Sequence, residues 1–192
     1  DSIGSSNGHL NLTNGRVTGT VGTINPLSSV TFYAGASSLG AAARAINFTV
    51  ADAGAIVTAS GLMTGAVGYT AGGSMEIDAG LIGNVDFAGY AGTLNIGAGQ
   101  IITGNVDSTG SSNGSLIFLG NTSSVTGIIG ATNPLAIVSF NGAGPINVPG
   151  TARSALFNVG NSGAVVTAAG AITGNVAYSQ PGSFNANNGL TG

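Results

Sequence analysis

The chain repeats itself at two scales, and no other property limits its folding options as strongly. Asp1-Ser2-Ile3-Gly4-Ser5-Ser6-Asn7-Gly8 returns as Asp107-Ser108-Thr109-Gly110-Ser111-Ser112-Asn113-Gly114, Asn25-Pro26-Leu27 returns as Asn133-Pro134-Leu135, and Phe32 returns as Phe140. From Ala43-Arg44 to Val67 the sequence realigns with Ala152-Arg153 to Val176, matching Phe48 with Phe157 and Gly54 with Gly163. Tyr69 and Gly73 match Tyr178 and Gly182. The offset drifts from 106 to 109, so the 192 residues hold fewer than two copies. Residues 1–106 read as a first long repeat and 107–192 as a second, truncated one, the two forming one continuous array. A copy that stops midway is expected of an excerpt from a longer protein.

Inside the long repeat lies a shorter unit. Its first half is apolar-x-apolar, as in Leu10-Asn11-Leu12, Val30-Thr31-Phe32, Ile46-Asn47-Phe48, Met75-Glu76-Ile77, Leu94-Asn95-Ile96, Leu116-Ile117-Phe118 and Val138-Ser139-Phe140. Its second half is often apolar-Thr-Gly, as in Val17-Thr18-Gly19, Met63-Thr64-Gly65, Ile102-Thr103-Gly104 and Ile172-Thr173-Gly174. Two-residue alternation rich in β-branched side chains and broken by Gly or Asn-Gly signals short strands. No stretch carries a sustained helical period; Ala41-Ala42-Ala43-Arg44, preceded by Gly40, would give a turn at most. The first halves recur at a near-constant interval, with the gap from Ile46 to Met75 the widest. A unit of about 21 residues favours stacked coils over a sandwich or barrel. The expected fold is all-β, a parallel β-helix (β-solenoid) of about nine coils with roughly 21 residues per coil. Leu10, Leu12, Val30, Phe32, Ile46, Phe48, Leu94, Ile96, Leu116 and Phe118 are its expected inward side chains.

Composition agrees with a stack. Charged residues make up 5%, against about a quarter in ordinary soluble domains. Like positions in adjacent coils would lie about 4.8 Å apart, where like charges repel. Small aliphatic side chains fill a narrow core, and Gly and Asn turn corners, which is the reading given to the five Asn-Gly pairs. The mean hydropathy of +0.42 excludes disorder by composition. No apolar run reaches the length of a membrane-spanning helix. With no lysine, three arginines and a pI near 4.5, the chain has no cationic stripe for nucleic acid. The absence of cysteine permits an oxidising setting. The first residues hold neither a basic start nor an apolar run, as expected of a processed or excised piece.

Residues that could carry chemistry are few. Ser6 and Ser112 each occupy the centre of a G-x-S-x-G pattern, but a hydrolase needs an imidazole base and an acid. His9 is the one imidazole, and Ser115 stands at its place in the second copy. These serines read as turn residues, with no catalytic residue assigned. Glu76 and Asp78 share one face of a strand, with Asp86 about half a coil later. Converging in one groove they would suit a glycosidase or lyase, or would hold Ca²⁺ together with carbonyl oxygens; the calcium-binding nonapeptide of β-rolls is absent, and otherwise they are solvated strand carboxylates. Arg44 and Arg153 are equivalent in the long repeat, and either cover a coil edge or meet a carboxylate. One unpaired histidine supports no metal site, and no phosphate-binding glycine motif is present, so neither a metal nor a cofactor is expected. Sequons at Asn11, Asn47, Asn113 and Asn121 are what this composition generates by chance.

The units Thr93-Leu94-Asn95-Ile96-Gly97-Ala98-Gly99-Gln100-Ile101-Ile102-Thr103-Gly104-Asn105-Val106 and Asn113-Gly114-Ser115-Leu116-Ile117-Phe118-Leu119-Gly120-Asn121 resemble passenger domains of Gram-negative autotransporter adhesins, particularly rickettsial surface antigens. The resemblance covers essentially the whole chain and rests on composition and loosely spaced motifs. It implies secretion through the outer membrane, a β-helical stalk and contact with host cells or other bacteria, and it brings no catalytic residues. The expected function is a structural and adhesive, non-enzymatic module at the cell surface or outside the cell. The expected partners are a host or bacterial surface, further coils of the parent chain, or copies of the chain end to end, since residues 1–22 and 177–192 continue the pattern. A repeat subunit of an extracellular filament or surface layer is the alternative. A carbohydrate-active β-helix enzyme is the third reading.

Overall fold

Each turn of the chain lays its strands parallel on the strands of the turn before. The computed structural model describes residue 1 and residues 3–192; Ser2, within the first long-repeat match, lies outside the described residues. Among the described residues there is no helix. The chain is a parallel β-solenoid of about ten turns averaging about 19 residues, and all strand pairs are parallel. At about 4.8 Å per turn the rod is about 45 Å long.

Columns of inward side chains make the core, and one on each face of the coil marks its course. On the first face Val21, Ala43, Met63, Leu81, Ile102 and Val125 stack in register. On the second face the column runs Leu10, Val30, Phe48, Val67, Val85, Val106, Ile129, Ala152, Ile172 and Leu190. On the third it runs Val57, Met75, Leu94, Leu116, Val138, Phe157 and Val176. Most members are fully buried; beside the third column runs another, Leu39, Ala59, Ile77, Ile96, Phe118, Phe140 and Val159, in which Phe118 and Phe140 stack with centroids 5.4 Å apart, within the favourable range for rings.

These columns explain why the sequence pattern suggests slightly fewer and longer turns than the chain has. The wide gap between Ile46 and Met75 is not one long coil. Ile46-Asn47-Phe48 belongs to the second face and Met75-Glu76-Ile77 to the third, and Val67, between Gly65 and Gly68, holds the skipped place on the second face. Turn length also varies along that column, with a short step from Val67 to Val85 and a long one from Val106 to Ile129.

One inward assignment is overturned. Ile46 points outward and is 53% exposed, whereas Phe48 is fully buried. Strand Ala43–Val50 passes from the first face to the second, and its register against Met63–Tyr69 shifts between Arg44 and Asn47. The bulge inserts one residue, so Ile46 and Asn47 both face solvent and the alternation restarts one place later. The same irregularity recurs in the second copy, between Arg153 and Leu156. On the coil above each bend sits a glycine with φ of 139°, Gly65 and Gly174. A Cβ there would overlap the carbonyl of Ala45 or Ser154.

The long repeat does not span a whole number of turns. Ala43 stands on the first face and its counterpart Ala152 on the second; Phe48 stands on the second and Phe157 on the third. Val57 stands on the third face, and its counterpart Val166 stacks between Ile146 and Phe184 on the first. Every element of the second copy is therefore displaced by one face. The repeat is five turns plus a third.

Phe48→Ala removes a buried ring and should cost about 3–5 kcal/mol, while Ile46→Ala should cost under about 1 kcal/mol, both read by denaturant unfolding. Gly65→Ala should destabilise by about 2 kcal/mol or more, because the backbone there is strained for any side chain and the space is filled. Equal costs at Phe48 and Ile46 would place the bend elsewhere.

Candidate functional site

The polar groups of this chain concentrate at the coil corners, where loops leave the ladder and their backbone groups need partners. Asp1 accepts hydrogen bonds one turn up from the Thr23 N–H (2.6 Å) and hydroxyl (2.7 and 2.8 Å). From one turn above, the Arg44 guanidinium donates to the Thr23 carbonyl at 3.1 Å. One threonine is thus held from both sides, and three successive turns are tied together. The second copy repeats the arrangement a third of a turn round. Asp107 accepts from the Thr132 N–H at 3.0 Å and hydroxyl at 2.6 Å, while Arg153 donates to the Ala131 carbonyl at 3.0 Å. Asp86 extends this second clasp downward, accepting from the Thr109 N–H (2.9 Å) and hydroxyl (2.7 Å) and from the Ala88 N–H (2.7 Å).

The clasp assigns roles to residues whose identity sequence spacing left open. Arg44 and Arg153 do cover a coil edge, but each donates to backbone carbonyls; the carboxylate acts on the same turn from the opposite side. Each pair of partners is separated by a full turn of chain. Only the recurrence of Asp and Arg in both copies hinted at them.

Glu76 and Asp78 are neighbours, but Asp86 does not converge with them. Glu76 lies outward on the third face, between Thr58 below and Asn95 above, and Asp86 lies on the second, between Gly68 and Asp107. The Asp86 carboxylate is already bonded to corner N–H groups. Partial burial, then the Asp78 charge and a hydrogen bond to Asp78, push the Glu76 carboxyl above its ordinary range. This is the behaviour of two neighbouring carboxylates.

The serine patterns are turns. Ser112 is exposed, and its neighbours Ser111 and Asn113 bond the Gly89 carbonyl of the coil below. His9 meets Ser29 of the next coil, Nδ1 to hydroxyl at 2.8 Å, and neither Ser6 nor Ser112. Among the described residues no group of three or more His, Cys, Asp and Glu is placed to hold a metal ion.

A feature the sequence reading did not single out is a shallow groove of about 300 Å³ on the first face. Leu62, Ile82 and Ile101, each 41–49% exposed, border it over Gly80. Neighbouring apolar pairs such as Leu81-Ile82 and Ile101-Ile102 carried the signal, because on a strand only one of two adjacent side chains can point inward.

Partial burial raises the Asp107 carboxyl, but hydrogen bonds from Thr132, Ser108 and Asn133 outweigh it and hold the group below its ordinary value. A depressed folded-state value means the clasp's stability is fully present above the unfolded value of about 3.9 and is lost as pH falls below it. Asp107→Ala should therefore cost about 1 kcal/mol at neutral pH, for a half-exposed charged acceptor. The difference from the parent chain should shrink in thermal melts below about pH 4. A pH-independent difference would mean that the carboxylate charge contributes nothing to the clasp.

No protein-family model matches this chain, and no solved structure matches it. Among curated proteins it is similar to Outer membrane protein A of Rickettsia rickettsii, 28% identical over 230 residues, covering 99% of this chain. The chain spans about a tenth of that protein's length. The chain is a homologue of the rickettsial Outer membrane protein A, with a β-solenoid that fits an autotransporter passenger domain.

Proposed function

We propose that the chain is a segment of a bacterial surface stalk, a rigid non-enzymatic β-solenoid outside the outer membrane that makes weak, distributed contacts with host or neighbouring cells. Residues 1–106 and 107–192 act as successive copies in one continuous rod, joined in the parent protein to further coils. The relative's name supports a surface location. The observation that carries the reading is the third-turn offset of the long repeat. Outward side chains that match between copies, such as Ile56 with Thr58 and Val165 with Thr167, stand on the third and the first face respectively. A partner binding such a patch meets it on a different side in each copy. No one side of the rod collects the contacts, as suits a stalk approached from all directions and unlike an enzyme with a single cleft.

Weak contacts distributed in this way act through number, since linked sites raise avidity without any new contact. Beads coated densely with the chain should adhere to cultured host cells or to bacteria, whereas the free monomer should bind too weakly to compete at similar concentration. Because the net charge is only −3, adhesion should change little with added salt. Ser6→Ala and Ser112→Ala should leave adhesion unchanged, and a serine-hydrolase probe should label neither residue. Dense beads that adhere no better than uncoated ones would remove the adhesive half of the reading and leave the structural half.

A further inference from the structure

Five Asn-Gly pairs occur in the chain, at Asn7, Asn14, Asn113, Asn141 and Asn188, and the fold treats them differently. Asn-Gly is chemically special because glycine leaves its own nitrogen unshielded. That nitrogen can attack the asparagine side-chain carbonyl carbon, form a five-membered succinimide and expel ammonia. Water then opens the ring to aspartate or, more often, to isoaspartate, whose backbone runs through the former side chain. The net exchange is one ammonia lost for one water gained, with no oxidant or other co-reactant.

Three of the pairs are visibly restrained. The Asn113 amide donates to the Gly89 carbonyl at 2.7 Å, and the Asn188 amide donates to the Ala169 carbonyl. At Asn141 the nucleophile itself is held, the Gly142 N–H donating to the Phe118 carbonyl at 3.1 Å. Asn7 is bonded within its own turn, its N–H to the Ser5 carbonyl at 2.9 Å. Asn14 differs from all four. It is exposed, its side-chain amide has no hydrogen-bond partner among the described residues, and its φ of 51° puts a non-glycine residue in the left-handed region. The Gly15 N–H has only the Ser37 hydroxyl, at 3.3 Å.

The second copy supplies an internal control. Asn14 packs beneath Gly35 at its corner, and Asn121 packs beneath Gly144 at the equivalent one. There the left-handed place two residues before the strand is taken by Thr122 (φ 56°), whose branched side chain shields its nitrogen and whose N–H donates to the Pro145 carbonyl. We propose that Asn14-Gly15 is a spontaneous deamidation site, through which the first copy, unlike the second, acquires a carboxylate and an isoaspartyl linkage with age.

The modification would fall on a sensitive joint. Asn14 links strand His9–Leu12 to strand Arg16–Val17, which has two residues and pairs only Arg16 with Ser38 and Val17 with Leu39. An isoaspartyl linkage adds one backbone atom to that connection and shifts the short strand against its ladder. The new carboxylate would lie two positions before Arg16.

The test is to incubate the folded chain at mildly alkaline pH and follow each Asn-Gly pair by peptide mapping, reading the one-dalton gain. Isoaspartyl methyltransferase with labelled S-adenosylmethionine reports the isoaspartate directly. Cleavage after Arg16 releases residues 1–16, and fragment ions separate Asn14 from Asn7. Asn14 should gain mass at least several-fold faster than the other four pairs in the folded chain, and Asn121 should not react. In denaturant the five pairs should converge, which makes the native order a property of the fold. Gly15→Ala should slow the reaction at residue 14 and leave the other four pairs unchanged. A faster reaction at another pair, or an unmodified Asn14 in a folded chain whose denatured form reacts normally, would overturn the assignment.

Discussion

The constraint on which the rest of this molecule depends is the spacing of parallel rungs, about 4.8 Å from one turn to the next. At that distance a side chain has its counterparts as nearest neighbours above and below. Apolar groups gain, because each column is a continuous contact from turn to turn, and the second-face column runs from Leu10 to Leu190. Charges lose, because a carboxylate stacked on a carboxylate repels. The chain therefore lacks lysine and holds only three arginines and six acids. Where two aspartates do stack, Asp86 on Asp107, each is bonded to a corner N–H and hydroxyl of the coil above it. The donors compensate the crowding of charge.

The same spacing accounts for what could be read from sequence. Apolar alternation and recurring turn residues identify stacked short strands without any structure, since a solenoid's contacts are local in its repeat. Phase is harder. Leu10, Val30 and Phe48 belong to one column and Met75, Leu94 and Leu116 to another, yet all follow the same apolar-x-apolar rule. A pattern with one signature on every face cannot say which face it occupies. Ile46 fails for a related reason: alternation assumes an unbroken strand, and the bend between Arg44 and Asn47 breaks it while leaving Ile46-Asn47-Phe48 looking like any other unit. The polar clasp was legible only as residues. That Asp1 and Arg44 act on one threonine depends on turns of unequal length placing three corners in line.

The third-turn offset of the long repeat has a physical consequence for how such a sequence can lengthen. Adding a copy with a whole number of turns would stack each outward group in line with its predecessors along one side. The offset instead places Val166 on the first face, where Val57 stands on the third, and sets the second Asp–Thr–Arg clasp at a different corner from the first. Adjacent copies then differ in direction even where their sequences match. An exposed apolar residue retained in both, as at Ile56 and Val165, does not become a continuous apolar stripe of the kind that glues rods side by side.

Fold tolerance follows from the same geometry. Because the three faces use one side-chain rule, a unit moved to the next face finds a column it can join: Phe157 on the third face is as fully buried as Phe48 on the second. What it cannot carry along freely is the bend. Both copies keep the bulge and the glycine above it, Gly65 over Ala45 and Gly174 over Ser154, although the bend sits between the first and second faces in one case and between the second and third in the other. The bend therefore belongs to the strand that makes it and not to a fixed corner of the rod. The cross-section at each level is set by whichever strand passes there. That is how a turn as short as the step from Val67 to Val85 and one as long as the step from Val106 to Ile129 share one uninterrupted core.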